Sequence, residues 1–208
     1  MNLSSLTHFI AVLLSIAGLS VLVTLAAIKG TAVHIVSFSI FGAALILLYL
    51  ASTIYHFLSP NHPKKDLFQI IDHSMIYILI AGTYTPLALL VLTPVWGWSI
   101  FGVIWGLAFT GIIIKVLRLQ MPRWLSSFFY LLMGWLIVIA FAPLNKALPS
   151  EGIFWLVLGG VFYTIGTIFF ALDHRLPQKR WWTFHDIFHI FVMLGSASHF
   201  WFMLKFAL

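Results

Sequence analysis

The sequence contains no cysteine and few charged residues. None of its 208 residues is a cysteine, which excludes disulfide bonds and thiolate metal sites. Only 8% of the residues are charged, whereas 62% are hydrophobic, and the mean hydropathy is +1.07. A water-soluble domain cannot bury that much apolar surface, so the composition predicts an integral membrane protein.

The sequence also lacks any polar stretch long enough to form a soluble domain. Short polar segments separate apolar blocks of about 20 residues, the length that crosses a ~30 Å hydrocarbon core. These blocks predict one all-α domain over 1–208, a seven-transmembrane helix bundle. The N-terminal stretch has no basic n-region, so we interpret it as a retained helix and not a signal peptide. The predicted spans are 6–28, 33–58, 67–91, 96–115, 124–144, 152–172 and 182–204.

Acidic residues are scarce beside basic ones, and the net charge is +6. In a membrane protein this excess favours cytoplasmic loops beside anionic lipid over nucleic-acid binding. The positive-inside rule therefore predicts a cytoplasmic N-terminus and a C-terminus outside. With that orientation the outer side keeps Lys29, Lys146 and Lys205. The inner side holds Lys64, Lys65, Lys115, Arg118, Arg123, Arg175, Lys179 and Arg180.

Ionisable side chains from three predicted spans lie at the same depth in the membrane. His56 lies near the inner end of span two, Asp72 near the inner start of span three, and His185 and His189 near the inner start of span seven. Ionisable groups inside spans are rare and indicate a functional site. His185 and His189 are four residues apart, as are Ser52 and His56, so each pair shares a helix face.

These residues predict a metal site. Three imidazoles can fill three corners of a tetrahedral Zn²⁺ site and leave the fourth for water. Asp72 would hydrogen-bond that water or act as its general base, and Ser52 would orient a ligand or contact the substrate. Imidazole ligands favour zinc and leave copper, iron and nickel open. The alternative is that the histidines are buried and hydrogen-bonded between helices.

The other intramembrane histidines are expected to have structural positions. His73 lies about 100° around the helix from Asp72 and is expected to contact another helix. His199 lies ~15 Å beyond His189 and is expected to make a polar packing contact. His8 is expected near an interface, with no special role.

Four segments resemble the hemolysin III family: ASTIYH at 51–56, DHSMIYILIAGTYTP at 72–86, MGWL at 133–136 and HDIFHIFVMLGSASHF at 185–200. That family is the bacterial branch of the progestin and adiponectin receptor family, in a wider group with alkaline ceramidases. The resemblance implies seven helices, a cytoplasmic N-terminus, and zinc held by three histidines with an aspartate contacting the zinc-bound water. By motif position these residues are His56, His185, His189 and Asp72, with Ser52 beside them.

Two functions from different classes remain open. The first is a zinc-dependent hydrolase of a lipid amide or ester, with its site near the cytoplasmic face. The second is a non-catalytic, zinc-stabilised sensor or regulator of membrane lipid homeostasis, in which the metal staples spans two and seven together. Cytolysis, which the family name suggests, would be indirect. We expect a bacterial inner-membrane protein with membrane lipids, or a lipid or fatty-acyl substrate, as partners and no nucleic acid.

Other functional interpretations of the histidines have less support in the sequence. HDIFH resembles the zincin motif H-E-x-x-H with Asp186 at the Glu position, but Asp is one methylene shorter. A retinal protein would need a lysine inside the membrane, and Lys205 stands only at the end of span seven. Bis-histidine haem ligation remains open on ligand type alone.

Overall fold

A computed structural model of the protein describes residues 3–119, 121–173 and 183–208, and its secondary structure there is entirely helical. Seven helices are long and apolar enough to cross a membrane, which confirms the predicted all-α, seven-helix architecture. The seven helices are α1 Leu3–Lys29, α2 Ala32–Phe57, α3 Lys65–Val91, α4 Pro94–Val116, α5 Trp124–Ala147, α6 Ser150–Leu172 and α7 Phe184–Phe206.

The observed helix ends lie within three residues of the predicted spans wherever the structure describes both. The predicted start of span seven, at 182, lies outside the described residues. The loop cations Arg175, Lys179 and Arg180 do so too, and so does the side chain of Arg123. The orientation of the termini across the membrane therefore stays a prediction.

Local sequence explains where several helices begin. The backbone N–H of Thr31 donates to Nδ1 of His34, and these two residues form a capping box at the start of α2. Pro94 stands in the first turn of α4, where its missing N–H would have had no partner. Thr183 and Asp186 form a capping box that fixes where α7 begins. His185 and His189 lie in the first two turns of this helix.

Two helices contain an irregular segment. Pro86 cannot donate a backbone hydrogen bond, and α3 continues beyond it as the π-helical turn Leu87–Val91. In α5 the backbone tightens to a 3₁₀-helix over Leu136–Ala140. The hydroxyl of Tyr84 accepts from the Ile137 amide at 2.9 Å, so α3 is tied to α5 at this segment.

Six of the helices form a closed ring in the order α1, α2, α3, α5, α6 and α7, and α4 packs outside the ring against α3. In this order α1 lies between α2 and α7. Large apolar side chains such as Leu14 and Ile28 are exposed on the outside, as expected for a surface that contacts lipid. The ring surrounds a cavity of about 120 Å³, to which all six helices contribute side chains.

Candidate metal centre

Three imidazoles converge inside one end of the ring. His56 stands in the last turn of α2, and His185 and His189 stand in the first two turns of α7. Nε2 of His185 lies 3.1 Å from Nε2 of His56 and 3.1 Å from Nε2 of His189. Ligand nitrogens of all three residues lie within 4.8 Å of one another.

The arrangement fits a bound cation better than hydrogen bonds alone. An Nε2 atom carries either one proton or one lone pair, so the His185 nitrogen cannot accept from one neighbour while it donates to the other. Tetrahedral zinc with Zn–N bonds of ~2.0–2.1 Å holds its ligand atoms ~3.3 Å apart, close to the distances found here. The three histidines can therefore hold a metal ion.

The lysine at the start of α3 holds the end of α2 that carries His56. Nζ of Lys65 donates to the backbone carbonyl of Leu58 at 3.0 Å and to that of Tyr55. The last carbonyls of a helix have no partner within the helix, and a cation there also interacts favourably with the helix dipole. Lys65 thus fixes the turn from which the imidazole of His56 projects.

The buried carboxylate of Asp186 fixes the start of α7. Its Oδ2 accepts from the Thr183 amide at 2.7 Å and from the Thr183 hydroxyl at 2.8 Å. Its Oδ1 accepts from the hydroxyl of Ser4, on α1. Both carboxylate oxygens are engaged in this clamp, so Asp186 holds the helix that carries the ligands. The resemblance to the zincin motif therefore does not extend to that motif's general base.

Ser52 and Asp72 line the same cavity as His185 and His189. Their side chains are 3% and 9% exposed, and the Ser52 hydroxyl donates to the Asp72 carboxylate. Helices α2, α3 and α7 thus bring four of the five predicted site residues to one cavity, and the fifth, His56, meets His185.

Sequence reasoning missed His8, for which it expected no special role. The His8 ring is 3% exposed and stacks on the His189 ring, with centroids 3.6 Å apart and planes 9° apart. It reaches this position because α1 occupies the gap between α2 and α7. The available signal was the run of small and polar residues on the buried face of α1, namely Ser4, Ser5, His8, Ala11 and Ser15.

Two further histidines make the packing contacts expected of them. The His73 ring meets the ring of Phe170, on α6, edge to face at 5.9 Å. Nε2 of His199 lies 3.2 Å from the carbonyl of Leu156, also on α6. Both residues also line the cavity, so they stand at its wall and apart from the three converging imidazoles.

Known proteins match this sequence along nearly its whole length. The chain is 46% identical to the hemolysin-3 homolog of Bacillus subtilis (strain 168), over 95% of this chain and 89% of that protein. It is 43% identical to hemolysin-3 of Bacillus cereus, over 99% and 90% of the two chains. It is also 30% identical to the human monocyte to macrophage differentiation factor, over 80% of this chain and 68% of that protein. The family described as Haemolysin-III related matches residues 2–200. This multi-pass membrane protein therefore belongs to the haemolysin III family.

Proposed function

We propose that the protein is a zinc-dependent hydrolase of a lipid amide or ester in the bacterial inner membrane, with its site near the cytoplasmic face. One observation carries the proposal: three imidazole nitrogens converge, and two of these histidines line a cavity that a buried carboxylate, Asp72, also lines. Nitrogen ligands without thiolates favour zinc. A buried acid next to a metal site is the pairing that hydrolysis by water requires.

Each site residue has a role in this proposal. His56, His185 and His189 hold the ion, which when bound supplies a Lewis acid and makes water easier to deprotonate. Asp72 accepts the proton of the attacking water and later delivers it to the leaving group. The hydroxyl of Ser52 donates to Asp72 and so holds its carboxylate in one orientation.

The rest of the cavity suits a lipid. Away from the metal end most of its lining is apolar and includes Leu48, Ile76, Ile80 and Val192. An acyl chain matches such a lining, and a carbonyl at its head would lie among the polar groups.

Metal analysis and a hydrolysis assay on the same preparations test the proposal. We expect about one zinc ion per wild-type chain and much less in His185→Ala, because loss of one of three ligands leaves an incomplete site. We expect Asp72→Ala to keep zinc and to lose at least ~100-fold in hydrolysis of ceramide-like amides or acyl esters. The control is His34→Ala, which removes an imidazole from the opposite end of α2. Wild-type turnover in both Asp72→Ala and His56→Ala would refute the mechanism.

A non-catalytic lipid sensor is the second candidate. The observation that favours it is that the three histidines join α2 to α7, two helices that α1 separates in the ring. A metal ion there would contribute folding energy across the ring without any chemistry. This function predicts bound zinc and a lower melting temperature after chelation, with no lipid consumed in the hydrolysis assay.

A further inference from the structure

The cavity has a second polar group at a distance from the candidate metal centre. His199 stands ten residues after His189 on α7, which places it ~15 Å further along the helix. Its side chain lines the same cavity and is only 9% exposed. Among the described residues its Nδ1 atom has no hydrogen-bond partner.

The contact made by the other ring nitrogen defines what Nδ1 can bind. Nε2 of His199 lies 3.2 Å from the carbonyl oxygen of Leu156, and a carbonyl oxygen only accepts hydrogen bonds. In the neutral ring the proton is therefore on Nε2, and Nδ1 presents a lone pair. A buried acceptor without a donor costs ~1–3 kcal/mol, so the missing partner is an O–H or N–H group.

The backbone of α6 is shaped to receive this imidazole. A Cβ atom added at Gly159 would collide with Nε2 of His199. The absence of a side chain at Gly159 lets the ring lie against α6 and reach the carbonyl one turn earlier, at Leu156. Both the position of the ring and the location of its proton are thus set by α6.

A cluster of three hydroxyls lies next to His199. The Ser196 hydroxyl lies 2.6 Å from that of Tyr49 and 2.9 Å from that of Tyr163, and the Tyr163 ring is 5.5 Å from the His199 ring. Two hydrogen bonds among three hydroxyls use two of their three protons. One O–H therefore remains to donate to a further acceptor. An acceptor nitrogen and a spare donor are the pair that a single hydroxyl group can satisfy.

We propose that this end of the cavity is a subsite for a hydroxyl group on the chain of a lipid ligand. The ligand hydroxyl donates to Nδ1 of His199 and accepts from the hydroxyl of Tyr163, which lines the same cavity. Tyr163 is free to donate when Tyr49 donates to Ser196 and Ser196 donates to Tyr163. The ligand is then a lipid whose hydroxyl lies ~15 Å from the group held at the metal end. This inference rests on the proposed function only in taking the cavity as the lipid site. A lipid hydroxyl is favoured over a lone water because the apolar lining offers water too few further partners.

Binding of three matched fatty acids to the full-length wild-type protein in detergent tests the subsite. The probes are stearate, stearate with a hydroxyl at mid-chain, and stearate with a methoxy group at the same carbon. We expect the hydroxylated probe to bind about five- to tenfold more tightly than stearate, the effect of about one hydrogen bond. The methoxy probe cannot donate, so we expect no gain from it.

Two variants test whether His199 is the acceptor. We expect His199→Leu to bind hydroxystearate and stearate equally, while its affinity for stearate stays within about twofold of wild type. Gly159→Ala displaces the ring without removing it and should also lose the preference. Gly160→Ala, at the next residue, serves as the matched control. A Cβ at Gly160 makes only ordinary contacts, the nearest 3.7 Å away on Trp135. Gly160→Ala should keep the wild-type ratio of the two affinities.

Three outcomes would overturn the subsite. They are equal binding of hydroxystearate and stearate by the wild type, equal binding of the hydroxy and methoxy probes, and a preference that survives in His199→Leu. The first would mean that water satisfies Nδ1. The test measures binding and not turnover, so its failure is distinguishable from that of the proposed function. A hydroxyl preference in a protein without hydrolytic activity would refute the hydrolase alone.

Discussion

The clamp formed by Asp186 allows a sharp test of what positions the metal ligands. Asp186→Asn keeps the shape of the side chain and replaces one carboxylate oxygen with an NH₂ donor. Whichever way the amide lies, that donor faces either the hydroxyl of Ser4 or the donors of Thr183. With the NH₂ turned toward Ser4, that hydroxyl can accept from it while the amide oxygen still accepts from Thr183. The substitution therefore keeps the hydrogen bonds in this orientation but removes the charge from all of them.

The contacts set the size of the effect. A hydrogen bond to a charged group contributes ~1.5–3 kcal/mol and one to a neutral group ~0.5–1.5 kcal/mol, so each of the three bonds to Asp186 weakens by ~1 kcal/mol. We expect Asp186→Asn to lower the free energy of unfolding by about 2–4 kcal/mol. Ser4→Ala, which removes only the bond from α1, should cost about half as much. Because His185 and His189 follow directly on α7, we also expect zinc affinity to fall by about 10–100-fold in Asp186→Asn.

Denaturant unfolding in detergent and zinc competition with a chelator measure the two effects. The control is Asp66→Asn, the same substitution at an exposed aspartate in the first turn of α3, with an expected change below about 0.5 kcal/mol. Suppose instead that Asp186→Asn keeps wild-type stability and zinc affinity but loses hydrolysis. Asp186 would then act as the zincin glutamate does, and the clamp would be irrelevant to it.

Further predictions concern packing and topology. His8→Phe keeps a ring stacked on His189 and removes two buried nitrogens that have no hydrogen-bond partner among the described residues. Thermal unfolding should therefore show equal or higher stability, whereas a clear loss would mean that these nitrogens bind something. A Cβ at Gly111 would collide with the Tyr77 ring, so Gly111→Ala should cost about 1–3 kcal/mol in denaturant unfolding, while Gly102→Ala, with open space around it, should cost nothing. A reporter fused after α7 should be active only outside the cytoplasm, and cytoplasmic activity would refute the orientation.

The seven spans and the shared depth of the candidate metal ligands could be predicted from sequence because a bilayer imposes one axis on the chain. Each apolar block crosses once, so a residue's distance from a span end gives its depth. His56 and His185 are 129 positions apart, yet counting from the span ends placed them in one layer. The structure confirms that they meet.

The lateral order of the helices was not accessible from sequence. Apolar side chains cover most faces of these helices, and even the run of small and polar residues on α1 shows only that this face is buried, not which helices it meets. The stacking of His8 on His189 and the reach of Ser4 to Asp186 both depend on α1 lying between α2 and α7. The position of the His199 ring depends on its contact with Gly159, on α6. The spacing of residues in the sequence does not indicate that these two residues meet.

The placement of the ligands on the second and the last helix bears on how the protein is made. Helices enter the membrane in order from the N-terminus, so a nascent chain that has inserted only six of them carries a single ligand, His56. A metal ion held by all three histidines could be captured only after α7 has inserted. Metal binding would then occur only in chains whose seven helices have all inserted. A chain truncated before α7 would lack two of the three histidines and would not bind the ion at this site.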